Sequence, residues 1–280
     1  IMSASMLAFV FNDGLMKILF FDDWSIYQAI FLRGILTIPI MLVLAWQRNE
    51  LFIKISYLDW KLVGMRTGAE VGAAIFFLSA LVNMPLANVT AILQVLPLAV
   101  TMGAAIFLKE SVGWRRWLAI GIGFTGVIII VRPGLDGFSM YSIYALAAVV
   151  CVTFRDLTTS RLSSNVPSIS VALITGVAIT LFGAAMLPTT TWVPIDDSHW
   201  LILVISSIAI VFGYLFSVMA MRHGDASFIA PFRYTSMLWA IIIGVLFFND
   251  WPDQLTLLGT AIIMGTGFYS FHREQLKRCR

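Results

Sequence analysis

The chain has 280 residues, of which 60% are hydrophobic and 12% charged, with a net charge of +3. Soluble domains carry about 25% charged residues, so this composition, with a mean hydropathy of +0.92, excludes an ordinary water-soluble globule and points to an integral membrane protein. The small basic excess sits at the ends of apolar runs and is not a nucleic-acid signal.

A membrane-spanning helix needs about 20 predominantly apolar residues. On that rule the chain reads as ten spans, at 2–20, 25–46, 60–82, 86–108, 114–132, 139–160, 168–187, 199–221, 226–248 and 254–271. The connections are short and rich in breakers, among them Asn83-Met84-Pro85, Arg132-Pro133-Gly134 and Asn249-Asp250-Trp251-Pro252. None is long enough for a separate soluble domain. No stretch shows the alternation of a membrane barrel, so an all-α integral membrane bundle is expected, lipid tolerating only helices or closed barrels. No cleavable leader is read before the first span.

Lysine and arginine divide sharply between alternate connections. One set holds Arg48, Lys54, Lys61, Lys109, Arg115, Arg116, Arg161, Arg222 and the tail residues Arg273, Lys277, Arg278 and Arg280. The other holds only Arg132 and collects Asp22, Asp23, Asp136, Asp196, Asp197, Asp250 and Asp253. The positive-inside rule then places both termini in the cytoplasm and requires an even number of spans.

The chain also repeats itself. ANVTAILQVLPLAVTMGAAIFLKE at 87–110 resembles ASFIAPFRYTSMLWAIIIGVLFFND at 226–250, each with an internal proline, Pro97 or Pro231, and an acid near its end. A span with several glycines follows each: Gly121, Gly123 and Gly126, then Gly259, Gly265 and Gly267. These glycines read as small residues for close helix packing. Two halves of five spans, roughly 1–132 and 139–280, are implied. An odd count inverts the second half relative to the first, the architecture of transporters that hold solute near the midplane.

Charges inside the spans carry most of the functional information. They are Asp13, Lys17, Arg33, Arg66, Glu70, Arg155, Asp156 and Arg233. Each costs roughly 2.5–3.5 kcal/mol at a span centre, so they must face one another or a wet cavity. Lys17 and Arg155 lie toward span ends and read as side chains that snorkel to the headgroups. The i,i+4 spacing of Asp13 with Lys17, and of Arg66 with Glu70, allows each pair to neutralise itself along one helix face. Asp13, Arg33, Glu70 and Arg233 fall nearest mid-depth, with Gln94 at the position matching Arg233 in the first repeat. Pro97 and Pro231 free backbone carbonyls beside Gln94 and Arg233. Phe76, Phe77, Tyr234 and Trp239 lie near the same level, able to stack on a ring or cover a cation.

The remaining chemistry-bearing residues are uninformative. Cys151 and Cys279 make neither a disulfide framework nor a metal site. His199, His223 and His272 read as interfacial histidines without a ligand role. Neither a metal nor a cofactor is expected.

The ordered pieces LANVTAILQVLPL…FLKE, RRWLAIGIGFTGVIIIVRPG and ASFIAPFRYTSMLWAIIIGVLFFNDWPD resemble the EamA domains of the drug/metabolite transporter superfamily over essentially the whole chain. The resemblance implies ten transmembrane helices as two inverted five-helix repeats around a central cavity opened alternately to each side. Asn12, Asp13 and Lys17, with Ala230, Pro231, Phe232, Arg233 and Tyr234, resemble a subset that includes S-adenosylmethionine and riboflavin carriers. Arg155 and Asp156 in FRDLTTSRL look subset-like too, and Asp250 stands where the family has a glutamate.

The leading expectation is a secondary transporter of the bacterial inner membrane for a small polar or zwitterionic metabolite, amino-acid-like or S-adenosylmethionine-like. Its expected substrate-binding residues are Asp13, Arg33, Glu70, Gln94, Asp156, Arg233, Tyr234 and Trp239, with Asp13 and Glu70 as candidates for coupling to a proton, a counter-substrate being the other option. A riboflavin or other aromatic-metabolite carrier is the alternative of the same class. A channel is the alternative of another class, though a pore favours rings of one charge sign. An enzyme is disfavoured, because no nucleophile–base set or metal-binding pair lies at a span mouth. No Walker motif is present to drive transport with ATP.

Overall fold

Serine caps and prolines set where the helices begin. Ser25, Ser56 and Ser139 accept hydrogen bonds from the backbone N–H of Gln28, Asp59 and Tyr141, satisfying donors that a helix start leaves open, while Pro85 and Pro167 precede two further helices. The resulting structure, a computed structural model, describes residues 1–48, 50, 56–110, 112–133, 138–163, 166–223 and 230–278. Lys54, Gly134, Asp136, the first part of the predicted ninth span (226–229), Cys279 and Arg280 lie outside the described residues.

Among the described residues eleven α-helices follow in chain order: α1 (Met2–Phe21), α2 (Ile26–Gln47), α3 (Tyr57–Asn83), α4 (Leu86–Leu93), α5 (Leu96–Phe107), α6 (Trp114–Val131), α7 (Met140–Thr159), α8 (Ser168–Met186), α9 (Asp197–His223), α10 (Thr235–Phe248) and α11 (Gln254–Arg278). Among the described residues there is no strand. Eight segments are long and apolar enough to cross a membrane, α4 and α5 counted as one. The shorter apolar helix within Phe232–Phe248 and the 25-residue α11 complete ten crossings of a multi-pass membrane protein. Helices α3, α9 and α11 run past their predicted limits of 60–82, 199–221 and 254–271, because a helix continues into polar sequence beyond the apolar window used to find it.

Two of the predicted spans are not continuous α-helices. The fourth breaks between Leu93 and Leu96, where Val95 N–H bonds Ile92 O at 3.2 Å in a tightened turn and Pro97 occupies the first turn of α5. The described part of the ninth begins with a 3₁₀ turn, Ala230–Tyr234, before α10. The two interruptions fall at matching positions of the repeat and meet: Gln94 Nε2 donates to Ser236 Oγ at 2.9 Å, and Ser236 Oγ donates to Arg233 O at 2.9 Å. Discontinuous spans at the interface of two repeats are the usual frame of a transporter site.

The packing is symmetric under exchange of the halves. Helix α3 packs on α7 as α1 packs on α9; α5 packs on α7 as α1 packs on α10; α3 packs on α8 as α2 packs on α9. The pairs α2–α8, α6–α11 and α4–α10 each map onto themselves. Buried apolar residues gather in two main clusters, one around α4 with α6, α7, α10 and α11, the other joining α1, α2, α9 and α10.

The glycine-rich spans α6 and α11 divide their glycines by role. A Cβ on Gly126 would lie 2.7 Å from Gly259 O, and one on Gly259 2.6 Å from Gly126 O, so the two backbones touch. Gly121 and Gly265 have nothing within 4 Å of an added Cβ. Gly126→Ala or Gly259→Ala should therefore lower stability by about 1–3 kcal/mol, and Gly121→Ala should not. Melting of the detergent-purified variants checks this, and equal melting of Gly126→Ala and Gly121→Ala would show that the crossing gives way.

Candidate substrate site

Seven of the eight charged residues inside the spans converge from five elements. Asp13 of α1 is half-buried and its Oδ1 accepts from Asn12 Nδ2 at 3.0 Å. Asn12, 2% exposed, in turn accepts from Ser206 Oγ of α9 at 2.7 Å, so its amide is fixed with its donor toward Asp13. Arg33 of α2 lies within Coulombic reach of both Asp13 and Tyr214.

A second knot forms on α3 and α7. Arg155 Nη1 donates to both carboxylate oxygens of Glu70, at 3.0 and 3.1 Å, and its Nε donates to Asp156 Oδ1 at 2.9 Å. Arg66 donates to Thr159 Oγ1 at 2.9 Å and to Thr175 Oγ1 at 2.6 Å, and stands 3.9 Å from Glu70. The expected Arg66–Glu70 pair is thus the weaker one. Arg155, expected to snorkel, instead turns inward, because α7 packs along α3 and presents the guanidinium to Glu70.

Arg233 joins this knot from the 3₁₀ turn. Its charge interacts with those of Asp156 and Arg155, yet its side chain is exposed. The link between the two groups is Tyr214 on α9, 37% exposed and within Coulombic reach of Glu70, Arg155, Arg66 and Arg33. Three carboxylates (Asp13, Glu70, Asp156) therefore face four guanidinium groups (Arg33, Arg66, Arg155, Arg233), an excess of one positive charge. Tyr214 was missed in the sequence because a tyrosine in an apolar, aromatic-rich span carries no charge to mark it. Its place beside Gly213, with both residues against Phe9, is visible only once α1 and α9 are packed.

The other expected residues lie at the margin. Gln94 is 5% exposed and holds Ser236, joining the two interrupted spans. Tyr234 is 1% exposed, with its ring against Gly267 and 5.4 Å from that of Phe268. Trp239 is half-buried beside the Met2–Met6–Ala220 cluster, with no hydrogen-bond partner for its indole N–H. Phe76 packs edge-on against Tyr144 at 5.8 Å, and Phe77 packs against both main apolar clusters.

Lys17 takes no part in the central group. The expected local pair with Asp13 is replaced by contacts at the end of the bundle: Lys17, 4% exposed, donates to Met84 O at 2.7 Å, stands 3.5 Å from Asp250, and lies 5.2 Å from the Phe248 ring centroid. Asp13 points instead toward Arg33, so the two charges four residues apart serve different partners. At the same end Arg132 pairs with Asp253, and His199 stands 3.2 Å from Asp22 and 2.7 Å from Asp196. The Asp196 carboxyl is held below the usual range by the backbone N–H of His199 and the Ser198 hydroxyl. Asp250→Ala should lower stability by about 1–2 kcal/mol, because it strips a buried ammonium of its counter-charge, while Lys17→Met should cost less. Thermal melting of the two variants decides it, and a larger loss for Lys17→Met would count against the pair.

Over 199 residues the chain is 26% identical to the S-adenosylmethionine uptake transporter of Rickettsia conorii, covering 68% of this chain and 65% of that protein. It is 27% identical over 196 residues to the riboflavin transporter of Vibrio cholerae serotype O1, covering 70% and 66%. The match thus spans about 65% of the length of these relatives. A solved crystal structure superposes with a TM-score of 0.64 at 18% identity, over 96% of this chain and 97% of the other, a likeness of fold. The model of the EamA-like transporter family matches twice, at residues 1–132 and 139–270. With ten crossings, halves that exchange symmetrically and charges gathered where they meet, the chain belongs to the EamA-like transporter family.

Proposed function

We propose that the protein is a secondary transporter that carries a small zwitterionic metabolite across the plasma membrane by alternating access, with both termini in the cytoplasm. The observation that supports this reading is the mixed-sign group at the junction of the two halves, in which Arg233 stays exposed within Coulombic reach of Arg155 and Asp156. A solute carboxylate meets Arg233 or Arg33, and a solute cation meets Asp13 or Glu70. The two repeats, 1–132 and 139–280, rock against each other around this group. The uptake function named for the rickettsial relatives supports a solute bearing both charge signs, since S-adenosylmethionine has an amino-acid end and a sulfonium. The riboflavin relative supports an aromatic cargo, but seven ionisable groups are an expensive lining for an uncharged flavin.

The test is saturable counterflow in proteoliposomes: labelled S-adenosylmethionine outside, unlabelled inside, with riboflavin run in parallel. Carrier action predicts transient accumulation that the unlabelled solute drives, and a linear, unsaturable flux would indicate a channel. Arg233→Gln should reduce this flux by at least about tenfold, the loss of one charge-assisted contact, while leaving membrane insertion unchanged. Unchanged flux in Arg233→Gln would remove Arg233 from the site.

A further inference from the structure

Resting on the carrier reading above, the structure carries a second step, toward the part of the solute that the charges do not hold. Phe9 of α1 and Tyr214 of α9 meet edge to face, ring centroids 5.4 Å apart and planes at 89°. Glycine at 213 makes this possible: a Cβ there would lie 2.8 Å from two atoms of the Phe9 ring, so the ring lies directly on the α9 backbone. Ser5 Oγ pins the same place by donating to Gly213 O at 2.7 Å. The corner is held by α1 and α9, and a T-shaped pair leaves one ring face open for a further partner. Tyr214, 37% exposed at the centre of the charged group, is the ring with that open face.

We infer that Phe9 and Tyr214 form a ring-binding corner of the site, so that the transported solute is a planar aromatic or heteroaromatic ring joined to a zwitterionic end. An aliphatic zwitterion would satisfy the charges and leave the corner empty; an uncharged ring would fill the corner and leave the charges unmatched. Both parts together use the site fully. The ring lies on Tyr214 while the charged end reaches Asp13 and Arg33 on one side or Asp156 and Arg233 on the other. Tyr214 is then the residue that sets specificity between ringed and ringless solutes.

The experiment measures equilibrium binding of four probes to the purified full chain: S-adenosylmethionine (ring and zwitterion), tryptophan (the same, smaller), methionine (zwitterion alone) and adenosine (ring alone). Both ringed zwitterions should bind, with methionine and adenosine weaker by about tenfold or more, the scale of one base–aromatic stack. Tyr214→Leu should lower the affinity for S-adenosylmethionine by about tenfold and so close most of its margin over methionine, whereas Tyr214→Phe, which keeps the ring, should stay within about threefold of the parent. Phe9→Leu gives the same loss through the other ring, and the melting temperature of each variant confirms folding. The inference is overturned if methionine binds as tightly as S-adenosylmethionine, if Tyr214→Leu binds S-adenosylmethionine as the parent does, or if neither ringed zwitterion binds the parent protein. In each of those cases the carrier reading still stands or falls on counterflow and on Arg233→Gln.

Discussion

Replacing Asp13 with asparagine should abolish net transport, lowering flux by about a hundredfold, while the protein still inserts and melts close to the parent temperature. The side chain keeps its shape and its hydrogen bond to Asn12, itself fixed by Ser206. What disappears is the negative charge facing Arg33, and with it one of three carboxylates set against four guanidinium groups. A solute cation then loses its counter-charge and Arg33 is left uncompensated. On the proposed carrier reading Asp13 is the candidate for a coupling proton, since one amide holds it while Glu70 is gripped through both oxygens by Arg155. An imposed pH gradient should accordingly stimulate uptake by the parent and leave Asp13→Asn unresponsive. Parent-like flux in Asp13→Asn would take Asp13 out of the site, and a gradient without effect on the parent would leave exchange as the coupling mode.

Removing Arg155 should produce the largest loss of stability among the site variants. Its guanidinium lies between Glu70 and Asp156, with side chains 14% and 31% exposed, and is itself 21% exposed. In Arg155→Met two carboxylates lose their shared cation, and the nearest remaining guanidinium to Glu70 is that of Arg66, at 3.9 Å. Breaking a buried pair from one side costs more than the pair contributes, because a charge is left without compensation. The expected cost is about 2–3 kcal/mol, with flux reduced at least about tenfold. Adding Glu70→Gln to Arg155→Met should recover much of the stability but not the flux. A double variant less stable than Arg155→Met would mean that the Glu70–Arg155 pair is not what holds α3 to α7.

The spans were legible because lipid imposes a single length and a single polarity on everything that crosses it, and the Lys/Arg alternation checked their number. The interruption of the fourth span was signalled by Pro97, but its partner, the Gln94–Ser236 bond across the repeats, depends on two segments 142 residues apart. Depth along a helix can be read from the chain, whereas direction around it depends on neighbours. That is why the in-span charges stood out by their cost in lipid, while Lys17, expected beside Asp13, stands by Asp250, and Arg155, expected to snorkel, meets Glu70. Tyr214 lacked any such mark, since its importance comes from the four charged groups around it, all on other helices.

The crossing of α6 and α11 has a mechanical consequence. With Gly126 and Gly259 backbone to backbone, the two rods meet directly, and Ile130 and Ile263 close the crossing on either side. Such a joint can swivel like the pin of a pair of scissors but cannot part without losing its fit. On the proposed carrier reading the two blades then swing at the other side of the bundle, where α1, α2, α3 and α7 carry the charged residues. A mutation that changes the cargo can therefore accumulate at the blades while the pin stays as it is.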